Sequence, residues 1–158
     1  MNDNRENESH GGHQAPQSVA EQLAEMFGPV IHTATRAELL AEGQLIPAPD
    51  KDVRQAGLLI PVAFTAAAWA DAVEWSEATD TAKGVFTGQD QTGRLWDVLY
   101  VTAHAMRGNR DTSTVMVQLY RVPPTGPHIE AELITLRVHL GGDDNGEPVL
   151  TVLLPHED

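Results

Sequence analysis

The last third of the chain keeps a two-residue rhythm. In Thr114–Val122, residues Val115, Val117 and Leu119 alternate with Met116, Gln118 and Tyr120. In Glu132–Leu140, residues Ile134, Leu136, Val138 and Leu140 alternate with Thr135, Arg137 and His139. Successive strand side chains point to opposite faces, so both stretches read as strands with one core face. The string GGDDNGEP is rich in residues that tolerate positive φ, and the apolar VLTVLLP beyond it completes a hairpin. An antiparallel meander of at least three strands follows, and its apolar face must be covered by other elements.

The first two-thirds supply helices to cover it. Ser18-x-x-Glu21 has capping-box spacing, Val19, Leu23, Met26 and Phe27 recur at helical intervals, and Gly28-Pro29 stops the helix. Val30 and Ile31 read as a short buried strand. Thr35-x-x-Glu38 caps a second helix that runs to about Glu42, with Gly43 at its C′ position and Leu45 and Ile46 returning to the core. After Pro47, Pro49 and Asp50 a short helix reaches Gly57. Pro61 interrupts LLIPVAF and predicts an edge strand or a segment outside the sheet. Thr65 caps a further helix with Trp69, Ala72, Val73 and Ser76 on one face, Asp71, Glu74 and Glu77 toward water, and Trp75 off the stripe. Thr79–Gly93 reads as a loop. Arg94 opens a helix carrying Leu95, Val98, Leu99, Thr102 and Met106 on one side and ending at Gly108.

The expected architecture is a single α+β domain over residues 18–158, with three or four helices packed on one face of a C-terminal antiparallel β-meander. Trp69, Leu95, Leu99, Leu136, Val138 and Val152 are its predicted core. Residues 1–17 hold no large aliphatic side chain after Met1, so ordering them costs entropy that no burial offsets, and a disordered polar tail is expected. His10 and His13 in that tail read as polar spacers.

Composition narrows the function. The chain has 158 residues, enough for one hydrophobic core but not for two. It contains no cysteine, which excludes disulfides, thiol nucleophiles and thiolate-bound metal. No apolar run approaches the ~20 residues needed to cross a bilayer, and MNDNRENESHGGHQ has neither a basic start nor an apolar signal core, so a cytoplasmic protein with no membrane association is expected. Lys and Arg number 10 against 23 Asp and Glu, a net charge of −13. That charge opposes nucleic-acid phosphates and anionic lipid. It fits colloidal solubility, and it also fits occupation of a basic partner.

The most suggestive motif for chemistry is the stretch from His32 to Gly43, a strand ending in His, a capped helix and a glycine leading back to apolar residues. In outline it is similar to the first segment of ADP-ribosyltransferase-like and RNA phosphotransferase folds. The resemblance implies NAD as a ligand, His32 as a candidate catalytic residue, and His32, Thr33, Arg36 and Tyr120 as candidate cofactor-binding residues. Such enzymes also use a stacking Tyr and a late Glu, for which Tyr100, Tyr120, Glu130 and Glu132 are available without a spacing that selects one. Turn-and-cap chemistry accounts for every residue of the motif except His32.

Other polar residues have plainer readings. Asp97 suits the first turn of a helix through the macrodipole. Arg94 and Arg121 can pair with such acids, and no phosphate-cradling glycine loop accompanies them. Asp143, Asp144, Asn145 and Glu147 offer oxygens to Ca²⁺ or Mg²⁺ but lack the alternating order of an EF-hand, so a hairpin turn and no metal is expected. His104, His128, His139 and His156 show no paired zinc spacing, and Ser9, Ser18, Ser76 and Ser113 lie outside any nucleophile elbow.

The strings FGPVIHTATRAELLAEGQLI, LLIPVAFTAAAWADAVEW, GRLWDVLYV, LYRVP and DDNGEPVLTVLLPHED together resemble the family catalogued as domain of unknown function 6573, over about residues 27–158. The resemblance implies a setting in bacterial plasmids, phages and other mobile elements, and no activity, cofactor or catalytic residue. The expected function is an acidic protein-binding accessory of such an element that neutralises a basic host factor, with no enzymatic activity and no cofactor. The alternative is an ADP-ribosyltransferase-like NAD-binding enzyme or relic built on His32–Gly43. The oligomeric state is left open.

Overall fold

One five-stranded sheet organises the computed structural model of the chain, which describes residues 18–27 and 33–158. The chain divides into two units, residues 1–33 and 34–158. In the first, α1 (Val19–Phe27) starts at the predicted capping box: the Ser18 amide donates to Glu21 Oε2 (2.8 Å) and the Glu21 amide to Ser18 Oγ (3.2 Å). The predicted polar tail, the strand at Val30–Ile31 and His32 lie outside the described residues.

The second unit is α+β. Its elements are α2 (Arg36–Ala41), β1 (Leu45–Pro47), α3 (Asp50–Gln55), β2 (Val62–Thr65), α4 (Ala66–Ala72), α5 (Glu77–Lys83), α6 (Gln91–Gly108), β3 (Thr114–Arg121), β4 (Glu132–Gly142) and β5 (Pro148–Leu153). The predicted meander is present, β3 pairing antiparallel with β4 and β4 with β5. It is only part of the sheet, whose order is β1-β2-β5-β4-β3. β2 pairs parallel to β5, and β1 pairs antiparallel to β2.

β2 is therefore an interior strand, contrary to the reading of Pro61. The strand begins one residue after that proline, so its missing N–H removes no ladder bond, while its carbonyl still accepts from the Leu150 amide (2.9 Å). The proline that does sit on an edge is Pro47 in β1.

The period-2 faces are as expected. Val115, Val117 and Leu119 are buried together with Leu136, Val138, Leu150, Val152, Val62 and Phe64. Val53 of α3 and Ala56 just after it, Ala68 and Ala72 of α4, and Leu95, Val98, Leu99 and Ala103 of α6 close the core over this face. Burial of each large side chain contributes about 1.5–3 kcal/mol. Five of the six predicted core residues are buried; Trp69 is only half-buried and packs edge-on against Phe64 at 5.3 Å.

Two helix boundaries depart from the pattern. The helix capped by Thr65 stops at Ala72, because Ser76 caps a new one: its hydroxyl accepts from the Thr79 amide (3.3 Å), and Gly84 ends α5 at φ 72°. The predicted loop at Thr79–Gly93 thus holds most of α5. Meanwhile α6 begins three residues before Arg94, with Asp90 Oδ1 accepting from the Gly93 amide (2.7 Å), which moves Asp97 out of the first turn. Nor do the helices share one face, since α2 lies over the opposite side of the sheet.

Candidate functional site

That opposite face carries a cleft. The Thr35 capping box fixes the start of α2 as predicted, the Glu38 amide donating to Thr35 Oγ1 (3.2 Å) and the Thr35 amide to Glu38 Oε2 (2.8 Å). A second cap comes from the β4–β5 hairpin. Asp144 Oδ1 accepts from the Arg36 amide (2.8 Å) and Oδ2 from the Ala37 amide (2.9 Å), so one carboxylate ties α2 to a turn more than a hundred residues away. The turn is built by Asp143, whose Oδ1 accepts from the Asn145 and Glu147 amides, and by Gly146 at φ 80°.

Beneath α2 lies a cleft of about 660 Å³ bordered by Arg36, Thr65, Asp144, Thr151, Leu153 and Glu157. Arg36 crosses its wall, donating through Nη1 to Thr151 Oγ1 (2.8 Å) and through Nη2 to Leu150 O (3.3 Å). Burial pulls the Arg36 guanidinium below its ordinary value, and the charges of Asp143 and Asp144 work against that pull. The far wall is the C-terminal segment. Glu157 Oε2 accepts from Thr65 Oγ1 (2.6 Å) and the Leu154 amide (2.7 Å), and Arg137 donates to the Glu157 carbonyl. A smaller hollow of about 350 Å³ continues over Thr114, Arg137 and His139, where the Thr114 hydroxyl and His139 Nδ1 lie 3.1 Å apart.

Past that hollow the sheet carries exposed apolar side chains. The outer face of the β3–β4 pair presents Met116 (55% exposed), Tyr120 (67%) and Leu133 (51%), with Tyr120 directly opposite Leu133 in the ladder. Gln118 and Thr135 make the polar pair between them, Gln118 Nε2 donating to Thr135 Oγ1 at 3.3 Å.

Of the predicted cofactor residues, Arg36 and Tyr120 lie in different places. Arg36 enters the cleft, Thr33 is exposed, and Tyr120 is on β3, with β4 between it and Arg36's partners on β5. His32 lies outside the described residues, and neither Glu130 nor Glu132 borders the cleft. Two acids border it with their carboxylates engaged, Asp144 and Glu157; sequence spacing did not single out Glu157, whose one signal was the unusual terminal string LPHED. Among the described residues no cluster of three His, Asp or Glu side chains is placed to hold a metal ion.

Arg94 and Arg121 separate in role. Arg121 forms the expected ion pair, Nη2 to Asp71 Oδ1 at 2.8 Å, with Glu132 at 3.8 Å. Arg94 does not pair with an acid: it is 4% exposed and donates to the carbonyls of Val73, Val122 and Asp71 and to Gln89 Oε1, with its guanidinium 4.8 Å from the Trp75 ring centre. Burial lowers its pKa to about 10, helped by the charge of Arg121 and opposed by Asp71 and Asp97, so it stays charged at neutral pH. Asp97 is shifted upward, first by burial and then by Asp90, against the pull of Arg94.

Residues 24–158 match the sequence profile of a family described as a family of unknown function, DUF6573. No curated protein and no solved structure matches the chain.

Proposed function

We propose that this protein, which belongs to the DUF6573 family of unknown function, is a non-enzymatic accessory of a bacterial mobile element that binds and neutralises a basic protein. The observation that carries this reading is the set of exposed apolar side chains on the outer face of β3–β4. Met116, Tyr120 and Leu133 stand in solvent there, although every apolar side chain on the opposite face of β3 is buried. Exposed aromatic and thioether side chains on a rigid sheet are the composition of protein-docking surfaces. The net charge of −13 sets the sign of the partner, since opposite charge speeds encounter and like charge suppresses it. The mobile-element setting rests on the family resemblance. Among the described residues no helix is long and apolar enough to cross a membrane.

Capture from bacterial lysate tests the reading. The native chain should retain a basic protein at low salt and release it as screening rises, and Met116→Glu with Leu133→Glu should lose it while keeping the native melting temperature. Equal capture by the double variant removes the docking face. A second reading, an NAD-binding enzyme or relic, has one observation in its favour, the cleft of about 660 Å³ that Arg36 enters. Tyr120 is not placed to stack there, and the Glu157 carboxylate is already engaged by Thr65 and Leu154. A melting temperature unmoved by millimolar NAD would dispose of it.

A further inference from the structure

The sheet ends on two unlike edges. β1 is three residues long and closes on Pro47, so it offers little to an incoming strand. β3 is eight residues long, contains no proline and occupies the other end of the sheet. The Leu140 amide donates to the Ser113 carbonyl (2.7 Å), and Thr114 stands opposite His139. Antiparallel ladders alternate, so Val115, Val117, Leu119 and Arg121 spend their backbone groups on β4, and the N–H and C=O groups of Thr114, Met116, Gln118 and Tyr120 point outward from the sheet. Among the described residues no backbone bond beyond the ladders reaches Met116, Gln118 or Tyr120.

Beside this edge runs a groove of about 270 Å³ between α6 and β3, bordered by Tyr100, Val101, His104, Ala105, Met116 and Gln118. A strand added to β3 would present alternate side chains to the two faces of the sheet, and the set facing α6 would enter the groove. Its chemistry favours small aliphatic side chains there. One turn before Tyr100 and Val101 on α6 stands Asp97, and the exposed rings of Trp96 and Tyr100 lie 6.0 Å apart. A carboxylate and two aromatic faces suit Lys or Arg. A second copy of this chain would instead bring its own charge of −13 to the contact.

The geometry points to β3 and the α6–β3 groove as a strand-addition site for an extended segment of a basic protein, one that alternates aliphatic and cationic residues. This rests on the reading of the protein as a binder of basic partners and adds that the partner joins the sheet through backbone pairing.

The probe is a synthetic heptapeptide of alternating Lys and Val, acetylated and amidated, titrated into the full ¹⁵N-labelled chain. Exchange of the Met116, Gln118 and Tyr120 amides should slow about tenfold with the peptide at about ten times its Kd. The same peptide N-methylated at alternate residues should have no effect, because it cannot pair. Equal effects of both peptides, or no slowing at these amides, overturns the proposal. Slowing that appears with protein concentration alone, accompanied by a dimer in sedimentation, also overturns it in favour of a second copy. Gln118→Pro removes one outward donor without touching the β4 ladder and should weaken peptide binding at least tenfold. If lysate capture survives Gln118→Pro but not Leu133→Glu, strand addition fails and the docking face stands. If it survives both, the docking face fails as well.

Discussion

Replacing Arg94 with Met tests whether one buried cation holds the junction of three elements. The guanidinium donates to Asp71 O and Val73 O at the end of α4, to Gln89 Oε1 ahead of α6 and to Val122 O just past β3. Met fills much of the volume but leaves those acceptors without a donor and removes the cation from the Trp75 ring. Hydrogen bonds to a charged group contribute about 1.5–3 kcal/mol each, four are lost, and relief of the cation's desolvation cost offsets part of that loss. We expect a loss of about 4 kcal/mol, a large share of the ~5–15 kcal/mol that a domain of this size possesses. With a urea slope of about 2 kcal/mol/M, the midpoint should fall by about 2 M at unchanged slope. Arg94→Lys keeps the charge but not the fork, and should recover only part of the loss. A midpoint within about 0.3 M of the native one, with the slope preserved, would refute the assignment, since that corresponds to less than ~1 kcal/mol.

Three further outcomes follow from single side chains. Leu136→Ala, at a fully buried site on β4, should cost about 2–5 kcal/mol by urea unfolding, and an unchanged midpoint would mean the sheet face is misassigned. Thr102 is fully buried in α6, and among the described residues its hydroxyl has no hydrogen-bond partner, so Thr102→Val should be neutral or stabilising by about 1 kcal/mol; a loss of stability would reveal a partner for that oxygen. Asp97 has a raised folded pKa, so the folded state holds its proton to higher pH than the unfolded chain, and this group's contribution to stability falls as pH rises through the carboxylate range. Asp97→Asn should therefore gain slightly on the native chain between about pH 3 and pH 6, and a difference that is flat with pH, or of the opposite sign, would contradict the shift.

The parts of the fold legible in the sequence were those set by local rules. Capping boxes at Ser18 and Thr35, and the two-residue rhythm of Val115–Leu119 and Ile134–Leu140, depend on neighbours a few positions apart, and each marked its element. The β4–β5 turn followed from the φ tolerance of Gly, used at Gly146. Most of what failed depended on partners farther along the chain. Trp75 lay off any helical stripe because it belongs to none; it is buried by Arg94 above its ring and by its own donation to Asp80 Oδ1. Ser76 read as a continuing helix face, although Ser76 and Thr79 have the spacing of a cap, and an alanine-rich run before them masked the break. Lys83, inside the stretch Thr79–Gly93 that reads as a loop, is buried with its ammonium held by the carbonyls of Gly126 and His128.

The site was less legible for the same reason. Asp144 looked like one more acid in a turn, because nothing near it in sequence shows that its carboxylate caps α2. Arg36 was singled out through an outline resemblance, and it does enter the cleft, but the contacts that hold it there come from Thr151 and Leu150. Met116 and Tyr120 were correctly put on the non-core face, while the edge position of β3 depends on strand order, which the alternation does not encode.

The acidity of the chain and the open edge of β3 bear on one another. An unprotected eight-residue edge would pair with its own copy unless something opposed it, and β3 itself contains no acidic residue and only Arg121 as a cation, which Asp71 engages. Opposition then has to come from the molecule as a whole, and a net charge of −13 provides it at low ionic strength. The same field attracts a basic segment, so one property both keeps copies apart and recruits the partner. Salt acts on both sides: within a screening length of about 8 Å at physiological ionic strength, repulsion between copies persists only for charges close to the contact. Raising salt should therefore weaken the basic partner and, by the same screening, relax the repulsion that keeps two β3 edges apart. Partner release and self-association are on this argument coupled through a single electrostatic term, with the edge strand as the surface for which both compete.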